Sequence, residues 1–539
     1  MQESEYNLQP VEFDPFAGPQ IDRVVPATEP QAEIWASCLI GGEEANRSYN
    51  ESVSLIMHGS LDYPSLEKSL QNLIKRHDAL RSGFSADGKQ LCIFSEGKLQ
   101  YNFQDISGSD SVIQKDIIDQ FLVEDAKTSF NLITGPLFRV KLFKLAEDSH
   151  HLTLSSHHII CDGWSISIIM QDLGKLYSSA LNSETAELPL APSFAEYAVK
   201  QRAFQQSAEY KSIESFWMKQ FMDEVPELDV PTDYSRPEFR TYKSHRDDYE
   251  LKADLINAVK KMGAKAGCSF VSSMLVAFEV FLHRISGQSD IILGVPSAGQ
   301  SEEGYNGLVG HCVNMLPLKS HHNGDFTFME FLKIRKPAIF DAYENQQYTF
   351  GSLLKKLNIS RDASRVPLIP IVFNIDIGLN EGVKFEGIKH ELIINKREFE
   401  NFEIFLNASG SGDSLILEWS YNTQIFSAET IRGMMEDFTE LLHQVTENPE
   451  IKIRDINSLT SGDDFEWNNT QAIYPKNSSL HELISQKARM YPEKNAVHFR
   501  NINLSYQDLN ERANRLANLL IKRGIQKGDR VALLLDRSE

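Results

Sequence analysis

The stretch "SSHHIICDGWSIS", residues 155–167, sets two adjacent histidines, an aspartate and a glycine between two differently patterned segments. Upstream, "LFRVKLFKL" (137–145) and "HLTLSSHH" (151–158) alternate in polarity around the turn "AEDS", which predicts a β-hairpin. Downstream of Gly163, the residues Ile166, Ile169, Met170, Leu173 and Tyr177 recur at helical spacing. The motif therefore occupies a strand end, a short loop and a helix start. Successive side chains of a strand point to opposite faces. Continued alternation puts His158 on the inward side with Leu152, Leu154 and Ser156, and His157 with Thr153 and Ser155. His158 then faces the interior as a polar group in a cavity, whereas His157 makes structural hydrogen bonds. Opposed projection also argues against a shared metal ion, and no third ligand stands at a supporting spacing, so no metal site is expected. Asp162 precedes the helix, where a carboxylate accepts backbone N–H groups or pairs with an arginine from elsewhere. Gly163 lets another backbone approach closely. The residues alone leave two accounts open: a buried histidine beside an aspartate cap, or a reaction centre built on an imidazole that titrates near neutral pH.

The chain has 539 residues, of which 41% are hydrophobic, 10% aromatic and 24% charged, a folded composition too long for one core. A formal net charge of −21 disfavours nucleic acid as a partner, because such a surface repels phosphate backbones. The five cysteines, Cys38, Cys92, Cys161, Cys268 and Cys312, are scattered and form no C-x-x-C pair, so neither a disulfide framework nor a zinc site is indicated. The opening "MQESEYNLQPVEFDPF" carries acids where a secretory signal carries Lys or Arg, and no apolar run approaches a membrane span. A cytoplasmic protein with no membrane partner is expected.

Residues 1–20 read as a linker or mobile N-terminus, and 456–478, with "SGDD", "NNT" and "PKNSS", as a second linker. Between them helix-like and strand-like segments alternate. "DYPSLEKSLQNLIKRHDAL" aligns Leu66, Leu70, Leu73 and Ile74 on one helical face with Pro64 in the first turn, and further elements include a helix at 270–285 and a strand at 290–299. After the second linker, Leu509, Ala513, Leu516 and Leu520 form a helix face and "RVALLL" a strand. Residues 479–539 are few for an independent core, which suggests the opening of a larger domain.

"HHIICDGWS" resembles the H-H-x-x-x-D-G signature of the condensation domains of nonribosomal peptide synthetases, relatives of chloramphenicol acetyltransferase. Further stretches resemble that family's motifs in order: "ATEPQAEIW" (27–35), "RHDALRSGF" (76–84), "FAEYAVKQR" (194–202), "GLVGHCVNMLPL" (307–318), "NQQYTF" (345–350) and "RDASRVPL" (361–368). The tail, with "LSYQDL" (504–509), is similar to the start of an adenylation domain. The resemblance implies an α/β fold of two acetyltransferase-like lobes in a V-shaped pseudo-dimer with a central tunnel. Residues 21–190 would form the N-lobe, 191–455 the C-lobe, and 479–539 a truncated α/β adenylation fragment.

It further implies amide formation between a donor acyl thioester on an upstream carrier protein and an aminoacyl amine on a downstream carrier. The carriers' 4'-phosphopantetheine arms bear the substrates, the adjoining adenylation domain is a further partner, and no cofactor is bound directly. His158 would be general base or positioning group. His157 and Asp162 would hold the loop, and Gly163 would lie beside the thioester, with its N–H available to the oxyanion. Trp164, Asn314 and Ser364 would contact substrate. Many relatives carry Arg where this chain has Gln300, which removes one expected partner of Asp162. Without another Arg there, no inter-lobe pairing of Asp162 is expected. "AGQ", "VGHCVN" and "VFNID" resemble condensation domains that follow polyketide modules, implying a ketide or β-amino acyl donor. The loop lacks the D-x-x-x-x-D of heterocyclisation domains, and "GWS" favours condensation over epimerisation. The tail carries no phosphate loop, so ATP-dependent activation is not expected of it. A free coenzyme A-dependent acyltransferase and a catalytically silent carrier-docking module are the rival functions.

Overall fold

The computed structural model describes residues 19–222, 225–301, 304–357, 359, 362–378, 381–411, 414–457 and 478–535. The linkers expected at 1–20 and 456–478 lie almost wholly outside these residues. The chain divides into two compact units, residues 1–462 and 463–539.

The alternating hairpin forms as patterned. Strands Phe138–Ala146 and Ser149–His157 pair antiparallel, with Leu142 opposite Leu152. They lie within a five-stranded sheet ordered Lys389–Ile394, Asn50–His58, Ser149–His157, Phe138–Ala146, Gln100–Asp105. Helix Tyr63–Arg76 starts where the Asp62 carboxylate accepts the Ser65 N–H at 2.8 Å, with Pro64 in its first turn. Its Leu66, Leu70 and Leu73 share one buried cluster with Leu142, Leu152 and Leu154 of the sheet and with Ile169, Met170, Leu173 and Tyr177 of helix Gly163–Leu181. Each of these aliphatic side chains contributes about 1.5–3 kcal/mol through burial.

A six-stranded sheet, ordered Val313–His321, Asp290–Ala298, Ile371–Ile377, Ile404–Ser411, Ser414–Asn422, Ser244–Leu251, organises the second lobe. Helix Phe270–Ser286 is apolar nearly all round because it is buried all round. Its one buried acid, Glu279, receives both arms of the Arg335 guanidinium at 2.7 and 2.8 Å.

The lobes are not consecutive in sequence. Strand Lys389–Ile394, from the half expected to be all C-lobe, adds to the edge strand Asn50–His58 in antiparallel register from Lys389↔His58 to Ile394↔Val53. The open N–H and C=O groups of that edge explain the correction. The crossing segment also buries Val383, Phe385 and Ile388 in the first lobe's core. Helix Gly163–Leu181 admits it at Gly174, where a Cβ would stand 2.3 Å from the Lys384 carbonyl oxygen.

In the second unit, helix Leu480–Met490, the hairpin Asn495–Phe499 and Ile502–Ser505, and helix Tyr506–Lys522 follow one another. The last helix is capped reciprocally by Ser505 and Asp508. Its apolar stripe is present, but the helix contains no buried residue. The strand expected at "RVALLL" is not formed, and Leu533, Leu534 and Leu535 are exposed. A strand needs a neighbour to pair with, and the described residues offer that run none.

A second bond between the lobes runs through helix Glu29–Arg47. Glu29 accepts from the Thr349 and Ser352 hydroxyls at 2.6 Å and from the Lys355 ammonium at 2.6 Å. Among the described residues Glu33 accepts only the Gly351 N–H, at 2.9 Å. Burial, reinforced by Glu29, pushes the Glu33 carboxyl from 4.5 up to about 7. The fold therefore holds a proton that the unfolded chain releases near 4.5, and stability falls as pH rises between those values. Glu33→Gln keeps the acceptor and removes the charge. It should raise unfolding free energy by about 3 kcal/mol at pH 8 and leave it unchanged at pH 4, read by denaturant titration at both pH values.

Candidate active site

Strand Ser149–His157 ends one residue before His158, so the turn, rather than strand alternation, aims that side chain. The His158 N–H donates to the Tyr49 carbonyl at 2.7 Å, and a hydrogen bond from Ile160 N–H to His157 carbonyl closes the turn. The two histidines part company here. His157 is fully buried, its ring centroid 5.9 Å from Tyr49 and 6.0 Å from Phe130, and its Nδ1 accepts the Ile159 N–H at 3.2 Å. Burial, helped by neighbouring His158, depresses it to about 3, so it is a neutral scaffold. His158 keeps 22% of its side-chain surface exposed and lines a cavity of 1090 Å³ walled by both lobes.

Two side chains bracket the His158 ring. Its Nε2 lies 3.3 Å from Glu51 Oε1, and its Nδ1 lies 3.1 Å from His311 Nδ1, with the two rings at 88°. Glu51 is held in turn by an ion pair to Arg397, whose guanidinium lies 3.6 Å from Glu400. Burial and the two neighbouring histidines hold His311 well below the ordinary imidazole range, so it is neutral. A carboxylate only accepts, so in this arrangement Nε2 of His158 carries a hydrogen toward Glu51. The facing Nδ1 atoms then share one hydrogen, donated from one ring to the other.

Asp162 is the most heavily bonded group of the loop. Its Oδ1 accepts the Ser165 N–H at 2.8 Å and the Ser165 hydroxyl at 2.7 Å, and so caps helix Gly163–Leu181. Its Oδ2 accepts the Cys312 N–H at 2.9 Å, and the Gln300 amide donates to both oxygens at 3.0 and 2.8 Å. Asp162 and Gln300 are both fully buried. The absence of inter-lobe pairing expected from a missing Arg is thus corrected: a neutral amide takes the guanidinium's place, leaving only its own Oε1 without a hydrogen bond among the described residues.

Gly163 also lines the cavity, and a Cβ added there would lie 3.7 Å from Asp376 Oδ1, an ordinary contact. Trp164 reaches the cavity while its Nε1–H donates to the Asn306 carbonyl at 3.1 Å. Asn314 borders the cavity with its amide committed elsewhere. It donates to the Gln346 and Tyr348 carbonyls at 2.7 and 2.8 Å and accepts the Phe350 N–H at 3.0 Å, which fixes the turn between two elements. Ser364, expected to contact substrate, is not among the cavity's residues; it sits in a turn where its N–H donates to Asp362 at 2.8 Å. Glu51, His311 and Arg397 are the additions sequence reasoning missed. The signal for Glu51 was a carboxylate inside the strand-like "NESVSLIMH", and for His311 an imidazole within "GLVGHCVNMLPL".

Comparison with known proteins bears on the fold and the family. Residues 21–466 match the Condensation domain family model, and residues 484–539 match that of the AMP-binding enzyme. Gramicidin S synthase 2 of Aneurinibacillus migulanus is 33% identical over 92% of the chain, which spans 11% of that protein. Surfactin synthase subunit 1 of Bacillus subtilis (strain 168) is 31% identical over 94% of the chain and 14% of its own length. Among solved structures, the condensation domain from monacolin K polyketide synthase MokA aligns with a TM-score of 0.71 at 21% identity, over 80% of this chain and all of that one. A four-domain nonribosomal peptide synthetase, holo-AB3403 bound to AMP and glycine, aligns with a TM-score of 0.74 at 20% identity, over 97% of this chain and 40% of that one. The two-lobed sheets, the inter-lobe cavity and the HHxxxDG loop standing in it are those of a condensation domain, and the chain belongs to the condensation-domain family of nonribosomal peptide synthetases.

Proposed function

We propose that the chain forms an amide bond between a carrier-bound donor acyl thioester and the amine of a carrier-bound aminoacyl acceptor. The observation that supports this most is His158, presented to a cavity that both lobes wall, on a loop that Asp162 ties to both lobes. Two phosphopantetheine arms entering that cavity would bring thioester carbon and amine together. Such placement is worth about 7–11 kcal/mol in well-oriented reactions, more than a positioned base supplies.

In the step itself the amine nitrogen attacks the thioester carbon, the C–S bond breaks, and a proton passes from the amine to the departing thiolate. For His158 to carry that proton on Nε2, its hydrogen must sit on Nδ1 and be donated to His311 Nδ1. Glu51 must then turn from Nε2 toward Arg397, its existing second partner. As the imidazolium forms, Glu51 would turn back from Arg397 to meet it. Gly163 N–H, at the start of the helix and in the cavity wall, would be offered to the developing oxyanion.

A coenzyme A-dependent acyltransferase and a silent docking module remain as rivals, and the adenylation-like tail favours the carrier-dependent reaction. With both carriers loaded, His158→Ala should slow amide formation by about 10²–10⁴-fold by intact-protein mass spectrometry. An unchanged rate would move catalysis off this loop, and equal turnover of free coenzyme A esters would favour the acyltransferase.

The loop's anchor gives a separate expectation. Gln300→Leu removes two N–H donations from a fully buried carboxylate and should cost about 2 kcal/mol of unfolding free energy together with condensation rate. Denaturant titration and the carrier assay check the two effects, and wild-type values in both would show that Ser165 and Cys312 suffice.

A further inference from the structure

The second lobe's sheet presents a ladder of polar side chains to the cavity. Asn374 Nδ2 donates to Asp376 Oδ2 at 2.9 Å and to Asn407 Oδ1 at 3.1 Å. Asn407 Nδ2 donates to Glu418 Oε2 at 2.8 Å, and the Ser409 hydroxyl to Glu418 Oε1 at 2.7 Å. All but Ser409 line the cavity. The carboxylates around them are matched to cations: Glu51 and Glu400 to Arg397, and Glu418 to Arg246 at 3.7 Å.

Asp376, in the ladder itself, has no such cation among the described residues. Its Oδ2 is fixed by Asn374, while its Oδ1 accepts no hydrogen bond and no Lys, Arg or His nitrogen lies within 4.0 Å of it among the described residues. Burial raises its carboxyl to about 6, with Glu51 and Glu418 adding to the shift and Asn374 and the more distant Arg397 opposing it, and no cation pairs with it directly among the described residues. The ladder does not need it, since Asn374 also bonds Asn407. Its free oxygen faces Gly163, where an added Cβ would stand 3.7 Å away. An anchored carboxylate with one unused oxygen, in a cavity wall and short of positive charge, is a receptor for a cation that can donate hydrogen bonds.

We propose that Asp376 recognises a primary ammonium group carried by a substrate in addition to the amine that reacts, so that the cavity selects an amino-substituted partner over its neutral isostere. This deepens the condensation reading and rests on it for the identity of the substrates. The ammonium could belong to the acceptor, as a diamino acid side chain, or to the donor, as an amino-substituted acyl chain, and the Gly163 loop lies where either would pass.

The test uses the full chain with two pairs of partners: ornithine against norvaline on the acceptor side, and 3-aminobutyryl against butyryl on the donor side. Condensation rates on loaded carriers are compared with binding of the corresponding non-hydrolysable pantetheine amides by calorimetry. In one pair the ammonium partner should bind and react at least tenfold better, and in D376N the two members of that pair should converge to within about twofold. Thermal melting of D376N confirms that the variant is folded, and D376E should keep part of the preference. No preference in either pair, or a preference that survives in D376N, overturns the proposal. Selective binding without product in any pair would uphold the subsite and sink the condensation reading instead.

Discussion

The buried carboxylate of Asp162 is the contact on which the functional architecture turns. Among the described residues no cation pairs with it, and its charge is met by N–H and O–H groups from Ser165 in the helix it caps and, from the other lobe, Gln300 after strand Asp290–Ala298 and Cys312 before strand Val313–His321. An uncompensated carboxylate at that depth would be prohibitively costly. The second lobe therefore has to bring both donors to it, and in doing so it closes over the first lobe. Using an amide instead of a guanidinium keeps the hydrogen bonds while leaving the site without an extra positive charge.

From that fixed point the two histidines follow. The turn that ends at Asp162 leaves His157 packed between Tyr49 and Phe130, where burial keeps it neutral, and carries His158 over the edge into the cavity. His311 reaches His158 because it is adjacent to Cys312, whose N–H is one of Asp162's donors. The same anchor thus orients the loop and delivers the imidazole that contacts His158 Nδ1. The Glu51 carboxylate on the other side of the ring sets its tautomer, and the two facing Nδ1 atoms share the remaining hydrogen.

The sequence made the local part of this legible. The alternation of Leu142 and Leu152, the helical stripe from Ile166 to Tyr177 and the cap at Asp162 are short-range patterns, and each element formed where its period placed it. Family resemblance added the pairing of two lobes. What escaped was long-range. Nothing in the composition of Lys389–Ile394 says that it crosses to the edge of Asn50–His58, because edge pairing is decided by which strand edges remain open after folding. Likewise Glu51, His311 and Arg397 are ordinary residues in their own segments and become a cluster only through lobe closure. Ser364 fails for the opposite reason: its motif matches, but its backbone is spent on a turn with Asp362.

The cavity's polarity divides along the same seam. The first lobe offers it the reaction loop, while the second lobe's sheet offers the ladder from Asp376 to Glu418. A sheet face buried against another layer would normally be apolar. Here polar side chains on three neighbouring strands hydrogen-bond one another instead, which removes the desolvation penalty that isolated buried amides would incur. The result is a wall stiff enough to hold a carboxylate in one orientation. Orientation is what the amide formation proposed above would draw on, since an activated thioester needs its partner held in line more than it needs a strong base.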